Sequence, residues 1–348
     1  MWNFEVIKSC DSLWSVSNME KWKELLEISP ESHVFYHPSL VKAWLETYIP
    51  IRDLSLIVIW AKSENNEAFL PLVLWKRNWK NGFIRSIVPI GFSDFDYHDP
   101  IFKNSPTDDE IQDFWTSVFD MLSKQYSYDE IILDGLHKRF LPKGYEPSDE
   151  TMCPYLSLDN LNNNDDLMKF FSTSMRGDIR RQLRRMGEKG QVEFKEYNTP
   201  EEVSATFPAF MEAHKERWPN AYKAPFFHEN LVKEGLASKV LHFSSLNIDG
   251  RPIAWHLGYS FKGVYYYYMP AGDKEFFKLS PVKIHLYFLL DRAISNGYVK
   301  YDHLKGDENY KSGWANGQEF VYTISLQSNS LSAKAKREVC KLKGFLKK

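Results

Sequence analysis

The alternation of apolar and polar positions cuts the chain into elements that recur in one order. Asn3–Ile7 reads as a short strand. Met19–Ile28 and Pro38–Tyr48 place Trp22, Leu25, Leu26 and Leu40, Trp44, Leu45 at helical spacing. Leu54–Ala61, Ala68–Trp75 and Phe83–Pro89 read as three strands separated by polar turns. Thr107 with Glu110 three residues on is a capping box, which opens a helix running to about Tyr126. Asp129–Asp134 follows as a strand.

The second half repeats this order. Gln191–Tyr197 is a strand, and Thr199-Pro200-Glu201-Glu202 opens a helix expected to run to about Arg217. A second helix lies near Phe226–Gly235. Lys239–Ile248 and Pro252–Phe261 flank Asp249-Gly250, the signal of a type I′ hairpin. Val264–Met269 is the third strand of this set. Ser280-Pro281 is expected to cap a helix ending at Gly297, and Val299–Leu304 and Phe320–Leu326 read as strands. Each half thus reads strand, two helices, three strands, helix, strand. Pro142, Gly144, Pro147 and Pro154 cluster between the halves, so a boundary is expected near 138–160. An extra helical pair, about Asp165–Phe171 and Gly177–Lys189, precedes the second set. The reading is a duplicated mixed α/β unit, with domains over 1–150 and 151–330 and a basic tail over 331–348.

A length of 348 residues agrees with about two domains. A 43% hydrophobic content suits a packed core and excludes wholesale disorder. Aromatic residues make up 16%, enough to furnish amphipathic grooves as well as a bulky core. With 44 basic and 46 acidic residues, nothing in the whole-chain charge points to nucleic acid. The charge is unevenly placed, however. Ala333–Lys348 carries seven basic residues and one acid, a local +6 that leaves the rest of a −2 chain at −8. Val339, Leu342, Phe345 and Leu346 lie among those cations, so 333–348 reads either as a solvated terminus or as a peripheral contact with an anionic membrane. The N-terminus lacks the pattern of a secretory signal, and no apolar run approaches the ~18–20 residues of a membrane span. Cys10, Cys153 and Cys340 form no CxxC pair, which fits a reducing cytoplasm. His33 and His37 are spaced HxxxH, but Pro38 follows and no third ligand is near, so no metal site is expected.

Three antiparallel strands followed by a helix and a strand is the order of the GNAT acyltransferase fold. The motifs agree with it. SMRGDIRRQLRRMGEKGQVEF at 174–194, AHKERW at 213–218, DGRPIAW at 249–255, GVYYYYMPAGDKEFFKLSP at 263–281 and YDHLKGDENYKSGWA at 301–315 resemble the GNAT-type family associated with cellulose and exopolysaccharide biosynthesis. WKELLEISPESHVFYHPSLVKAW at 22–44 and FLPLVLWKR at 69–77 resemble its N-terminal domain. The architecture is also similar to the Fem-type aminoacyltransferases of peptidoglycan synthesis, which use aminoacyl-tRNA. The resemblance covers about residues 20–326. It implies two tandem GNAT-like mixed-sheet domains, of which the second is an acyltransferase; the first has no counterpart to the 305–314 motif and is expected not to be catalytic.

The segment 301–315 is the first candidate for chemistry, because it follows the strand beside which a GNAT sheet splays open. Acyl transfer needs a base for the acceptor proton and donors for the oxyanion. Asp302 is the expected base, with Glu308 second, and Tyr310 offers a phenol. Lys311 would stabilise the oxyanion or a substrate phosphate, as the resemblance to a Tyr-Lys context in Fem-type enzymes implies. A charged, solvated loop is the plain alternative. Arg176, Arg180 and Arg184 line one helical face, with Arg181 and Arg185 in an adjacent row, and arginine forks suit a phosphate or pyrophosphate. The same residues would serve a tRNA backbone.

The GNAT donor signature, Arg/Gln-x-x-Gly-x-Gly/Ala, is missing. Ser280, Lys283 and the start of the following helix are the remaining donor contacts, and Val282 stands where the family often has glycine. Trp218, Trp255, Tyr266, Tyr268 and Trp314 are groove-wall candidates, and His214 and His256 are either polar cleft residues or structural ones. Along Tyr265–Tyr268, alternation puts one tyrosine pair on each face of a strand without saying which faces the cleft.

The resulting expectation is an N-acyltransferase with no permanently bound cofactor. It would take acyl-CoA as co-substrate and an amine of a sugar, sugar nucleotide or glycan precursor as acceptor. An aminoacyl-tRNA-dependent transferase and a non-catalytic glycan-precursor binding module are the rivals.

Overall fold

The computed structural model describes residues 1–77 and 83–345. In chain order the first elements are β1 (Asn3–Ile7), α1 (Cys10–Leu13), α2 (Val16–Ile28), α3 (Pro38–Tyr48), β2 (Asp53–Lys62), β3 (Glu67–Lys76), β4 (Arg85–Pro89), β5 (Ile101–Phe102), α4 (Asp108–Gln125) and β6 (Glu130–His137). Then come β7 (Asp149–Ser157), α5 (Asn164–Phe170), α6 (Thr173–Gly187), β8 (Val192–Tyr197), α7 (Pro200–Ser204), α8 (Phe207–Arg217) and α9 (Phe227–Ala237). The last are β9 (Leu241–Ile248), β10 (Arg251–Phe261), β11 (Val264–Gly272), α10 (Pro281–Ser295), β12 (Lys300–Asp302), β13 (Gly317–Gln327) and α11 (Leu331–Phe345).

Local chemistry sets several of these boundaries. Thr107 and Glu110 make the reciprocal capping box that starts α4. Asp249 and Gly250 both take positive φ, 49° and 77°, as the β9–β10 hairpin requires. The helix expected from Thr199 to Arg217 is two helices. Pro208 lacks an N–H and crowds the preceding turn, so α7 ends at Ser204 and α8 restarts with the proline in its first turn.

The chain divides into two units. One comprises Met1–Thr151 with Phe320–Lys348, and the other Met152–Glu319. In the first unit β1, β2, β3 and β4 pair antiparallel in that order, β4 pairs parallel with β6, and β6 pairs antiparallel with β13. The second unit has the same plan: β8, β9, β10 and β11 antiparallel, β11 parallel to β12, and β12 antiparallel to β7. This differs from the expected domains at both ends. Phe320–Leu326 was expected to finish the second domain, yet as part of β13 it completes the first unit, where Leu326 packs against the core. The sixth place in the second unit is taken by β7, which lies in the expected boundary segment. Pro154 and the polar start at Asp149-Glu150 conceal this strand from a pattern reading.

Most aromatic residues are core. In the first unit Phe114 on α4 packs edge-on against Trp2 and Phe102, at 5.4 and 5.2 Å between ring centres. In the second, Tyr265 stacks on Tyr301 at 5.1 Å beneath α10.

The described start of the basic tail is packed against the first unit. Its residues 331–345 form α11, with Ala333 buried. Lys336 Nζ bonds Asp129 Oδ2 at 2.7 Å and Arg337 donates to the Ser328 carbonyl at 3.0 Å. Leu346, Lys347 and Lys348 lie outside the described residues.

Candidate active site

Strands β11 and β12 pair only over Val264–Tyr266 and Lys300–Asp302. β11 then continues to Gly272 without β12 beside it. A cavity of about 350 Å3 opens here, between the end of β11, the start of α10 and the end of α8. Its floor is buried and apolar, made by Tyr267, Ala271, Leu286 and Trp314. Its rim is exposed and aromatic, made by Trp218, Phe277 and Tyr310. Arg217, Ser280 and Lys283 add the polar groups.

Five residues expected from the sequence therefore meet at one cavity: Trp218, Ser280, Lys283, Tyr310 and Trp314. Tyr267 belongs to the alternation that the sequence left open. Tyr265 and Tyr267 share the face of Tyr301 and His303, whereas Tyr266 and Asp302 are register partners on the other. Tyr268 faces Tyr259 instead, at 5.0 Å. Arg217, Phe277 and Leu286 were not foreseen as lining residues. They lie inside quoted motifs or on the helix after them, but no residue type marked them.

The 303–314 loop is held by its own charged residues. Asp302, the expected base, is buried and does not line the cavity. Its Oδ1 accepts from Leu304 N at 2.8 Å, holding a turn in which Leu304 takes a strained φ of 60°. Lys311, the expected oxyanion or phosphate contact, is buried as well. Its Nζ donates to the Lys305 carbonyl at 2.8 Å and lies 2.8 Å from Glu308 Oε2. His303 Nε2 meets the Trp314 carbonyl at 3.1 Å, completing the closure. Asp302 and Lys311 thus shape the loop that carries Tyr310 to the cavity. Burial pushes the Tyr310 hydroxyl above its ordinary pKa, and the Glu308 carboxylate adds to this while Arg217 works against it. Tyr310 is therefore a protonated phenol at neutral pH.

The arginine face expected to bind phosphate has other work. Arg176 Nη1 donates to the Phe171 carbonyl at 2.8 Å, closing the end of α5. Arg180 and Arg184 face solvent, and Arg184 sits 3.8 Å from Glu188. The adjacent row is engaged within α6 and with the segment before α10. Arg181 and Lys283 both bond Asp178, Lys283 at 2.8 Å, and Arg185 donates to the Lys278 carbonyl at 2.8 Å.

Three further candidates are buried and lie outside this cavity's lining. Trp255 Nε1 donates to Thr206 Oγ1 at 2.6 Å. His214 Nδ1 meets Tyr222 Oη at 2.8 Å, and burial lowers its pKa to about 4. His256 lies stacked under Tyr267 at 4.5 Å and is neutral, its pKa depressed by burial and then by His285 and His242.

The donor end departs from the expected form. Ser280 stands at the start of α10 in the left-handed conformation, and its hydroxyl makes no capping bond. A Cβ on Gly272 would lie 2.7 Å from Val282 Cγ2, so the valine is packed against the end of β11. Val282, standing where the family often has glycine, therefore contributes an apolar side chain at the start of α10.

The first unit has the same splay, since β4 and β6 pair only at Ser86–Glu130 and Ile87–Ile131. Its own chain fills the gap. His98 N donates to the Gly135 carbonyl at 3.0 Å, and Asp99 accepts from His137 N at 2.8 Å. Gly135 is required there, because it has φ 67° and a Cβ would meet the Asp96 carbonyl oxygen at 2.3 Å.

Comparison with known proteins agrees with this geometry. Residues 173–312 match the family described as acetyltransferase (GNAT) domain. FemX is similar in fold, with a TM-score of 0.60 at 12% identity over 89% of this chain and 96% of that one. So is L-PGS from Bacillus licheniformis, with a TM-score of 0.52 at 13% identity over 88% and 97%. A tandem GNAT protein from the clavulanic acid biosynthesis pathway has a TM-score of 0.51 at 10% identity over 95% and 99%. No curated protein matches the chain's sequence. The chain thus carries, over residues 173–312, a region that matches a GNAT acetyltransferase domain, within a fold similar to that of tandem GNAT proteins.

Proposed function

We propose that the second unit transfers an acyl group from a thioester, in the first place acyl-CoA, to an amine on a sugar or sugar nucleotide used in envelope polysaccharide synthesis. The observation that carries this is the convergence of Tyr310, Trp218, Trp314, Ser280 and Lys283 on one cavity beside the β11–β12 splay. Trp218, Phe277 and Tyr310 at the rim suit the apolar face of a sugar ring, and Arg217 and Lys283 suit phosphate. The first unit acts as a scaffold, because residues 91–99 occupy its splay. Among the described residues no helix is long and apolar enough to cross a membrane.

In this reading the acceptor nitrogen attacks the thioester carbonyl. A C–N bond forms and the C–S bond breaks. Tyr310 gives its proton to the departing thiolate, the amine proton passes to solvent, and solvent reprotonates Tyr310. Asp302 and Lys311 position the loop. The test is thiol release from acyl-CoA in the presence of UDP-glucosamine and free amino sugars. Tyr310→Phe should lower kcat by about 10²–10³. Unchanged kcat overturns the assignment.

Aminoacyl transfer from tRNA, in the manner of Fem-type enzymes, is the second reading. It is favoured by the missing Arg/Gln-x-x-Gly-x-Gly/Ala donor signature, with Val282 in place of a glycine after Ser280-Pro281. Activity in a lysate that disappears on RNase treatment would select it.

A further inference from the structure

The cavity is larger and more apolar than an acetyl group requires. Its floor of Tyr267, Ala271, Leu286 and Trp314 presents hydrocarbon and ring surface, and its charged side chains, Arg217 and Lys283, belong to α8 and α10 at its borders. A volume near 350 Å3 holds about ten to twelve water-sized groups at ~30 Å3 each. An acetyl group would leave most of that surface wet, which apolar walls disfavour.

We propose that the acyl group transferred is a hydrocarbon chain of about six to ten carbons, seated on the Tyr267–Leu286–Trp314 floor. This rests on the acyltransferase reading above and names its donor class.

The experiment is a chain-length series of acyl-CoA thioesters from C2 to C16 with UDP-glucosamine as acceptor. The same chains are also presented on 4′-phosphopantetheine alone. Each methylene that enters the cavity should raise kcat/KM about three- to fourfold, up to about C8. Comparable rates on phosphopantetheine point to a carrier protein as the source of the chain, and loss of activity there points to CoA. Leu286→Trp should move the optimum to shorter chains. If that variant is poorly folded, Ala213→Leu fills the same cavity from α8. Acetyl-CoA turning over as well as octanoyl-CoA, or both filled-cavity variants keeping the original optimum, overturns the proposal. If no thioester is turned over, the acyltransferase reading fails, and thermal shift decides the cavity by itself. Octanoyl-CoA must then raise Tm more than CoA does, and equal shifts refute the apolar site.

Discussion

Lys311 separates two views of the 303–314 loop, and Lys311→Met tests them. The side chain is 6% exposed. Its ammonium donates to the Lys305 carbonyl and pairs with Glu308, whose side chain is 38% exposed. The bond to the carbonyl is charge-assisted and buried, so losing it costs about 1.5–3 kcal/mol. The pair with half-exposed Glu308 is screened and adds about 0–1 kcal/mol. Methionine keeps most of the packing volume, so the total is about 2–4 kcal/mol. For a unit of this size that lowers Tm by roughly 5–12 °C. Calorimetry or a thermal scan reads it directly. Because Tyr310 precedes Lys311 in the chain, the loosened loop should also misplace the phenol and cost about 10²-fold in kcat/KM. Lys311→Arg should recover part of both losses. The reasoning fails if Tm is unchanged while kcat/KM falls more than about 10⁴-fold, since that pattern belongs to a lysine at the reacting atoms.

Stability should fall with acid in a defined window. Burial holds His214 and His303 to pKa values of about 4, and His228 and His285 to about 3. Unfolded histidines titrate near ~6.5, so between about pH 6.5 and 4 the unfolded chain binds more protons. Each of these residues then removes up to ~1.4 kcal/mol per pH unit as pH drops, and a Tm that stays flat from pH 7 to 5 contradicts this burial. Gly135→Ala should destabilise the first unit by at least ~2 kcal/mol, because both its φ and its contact with the Asp96 carbonyl forbid a methyl group. A neutral result in urea unfolding would show that the 91–99 segment can leave the splay. Arg176→Ala should cost about 1–2 kcal/mol by exposing the end of α5, with little change in KM for any phosphate-bearing substrate. A large KM effect with an unchanged Tm would return Arg176 to the binding site.

Local chemistry was legible in the sequence. The capping box at Thr107, the Asp249-Gly250 turn and the two sets of strands and helices depend on neighbours within a few residues, and the pattern carries them. The segments 213–218, 263–281 and 301–315 were singled out by resemblance to a family, not by local pattern. Partner choice was not legible. Alternation marks 320–326 as a strand, but only packing gives its apolar face to the core of the first unit, while β7, disguised by Pro154, completes the second. The arginine helix shows the same limit. Spacing puts Arg176, Arg180 and Arg184 on one face, yet contact with α5 and with the segment before α10 decides that Arg176 closes a helix end and that Arg181 and Arg185 are engaged within α6 and with that segment. Which tyrosines line the cavity, and that Asp302 and Lys311 turn into their own loop, follow from strand register and from the need of a buried charge for a partner. Those are properties of residues brought together from distant parts of the chain, which no local pattern encodes.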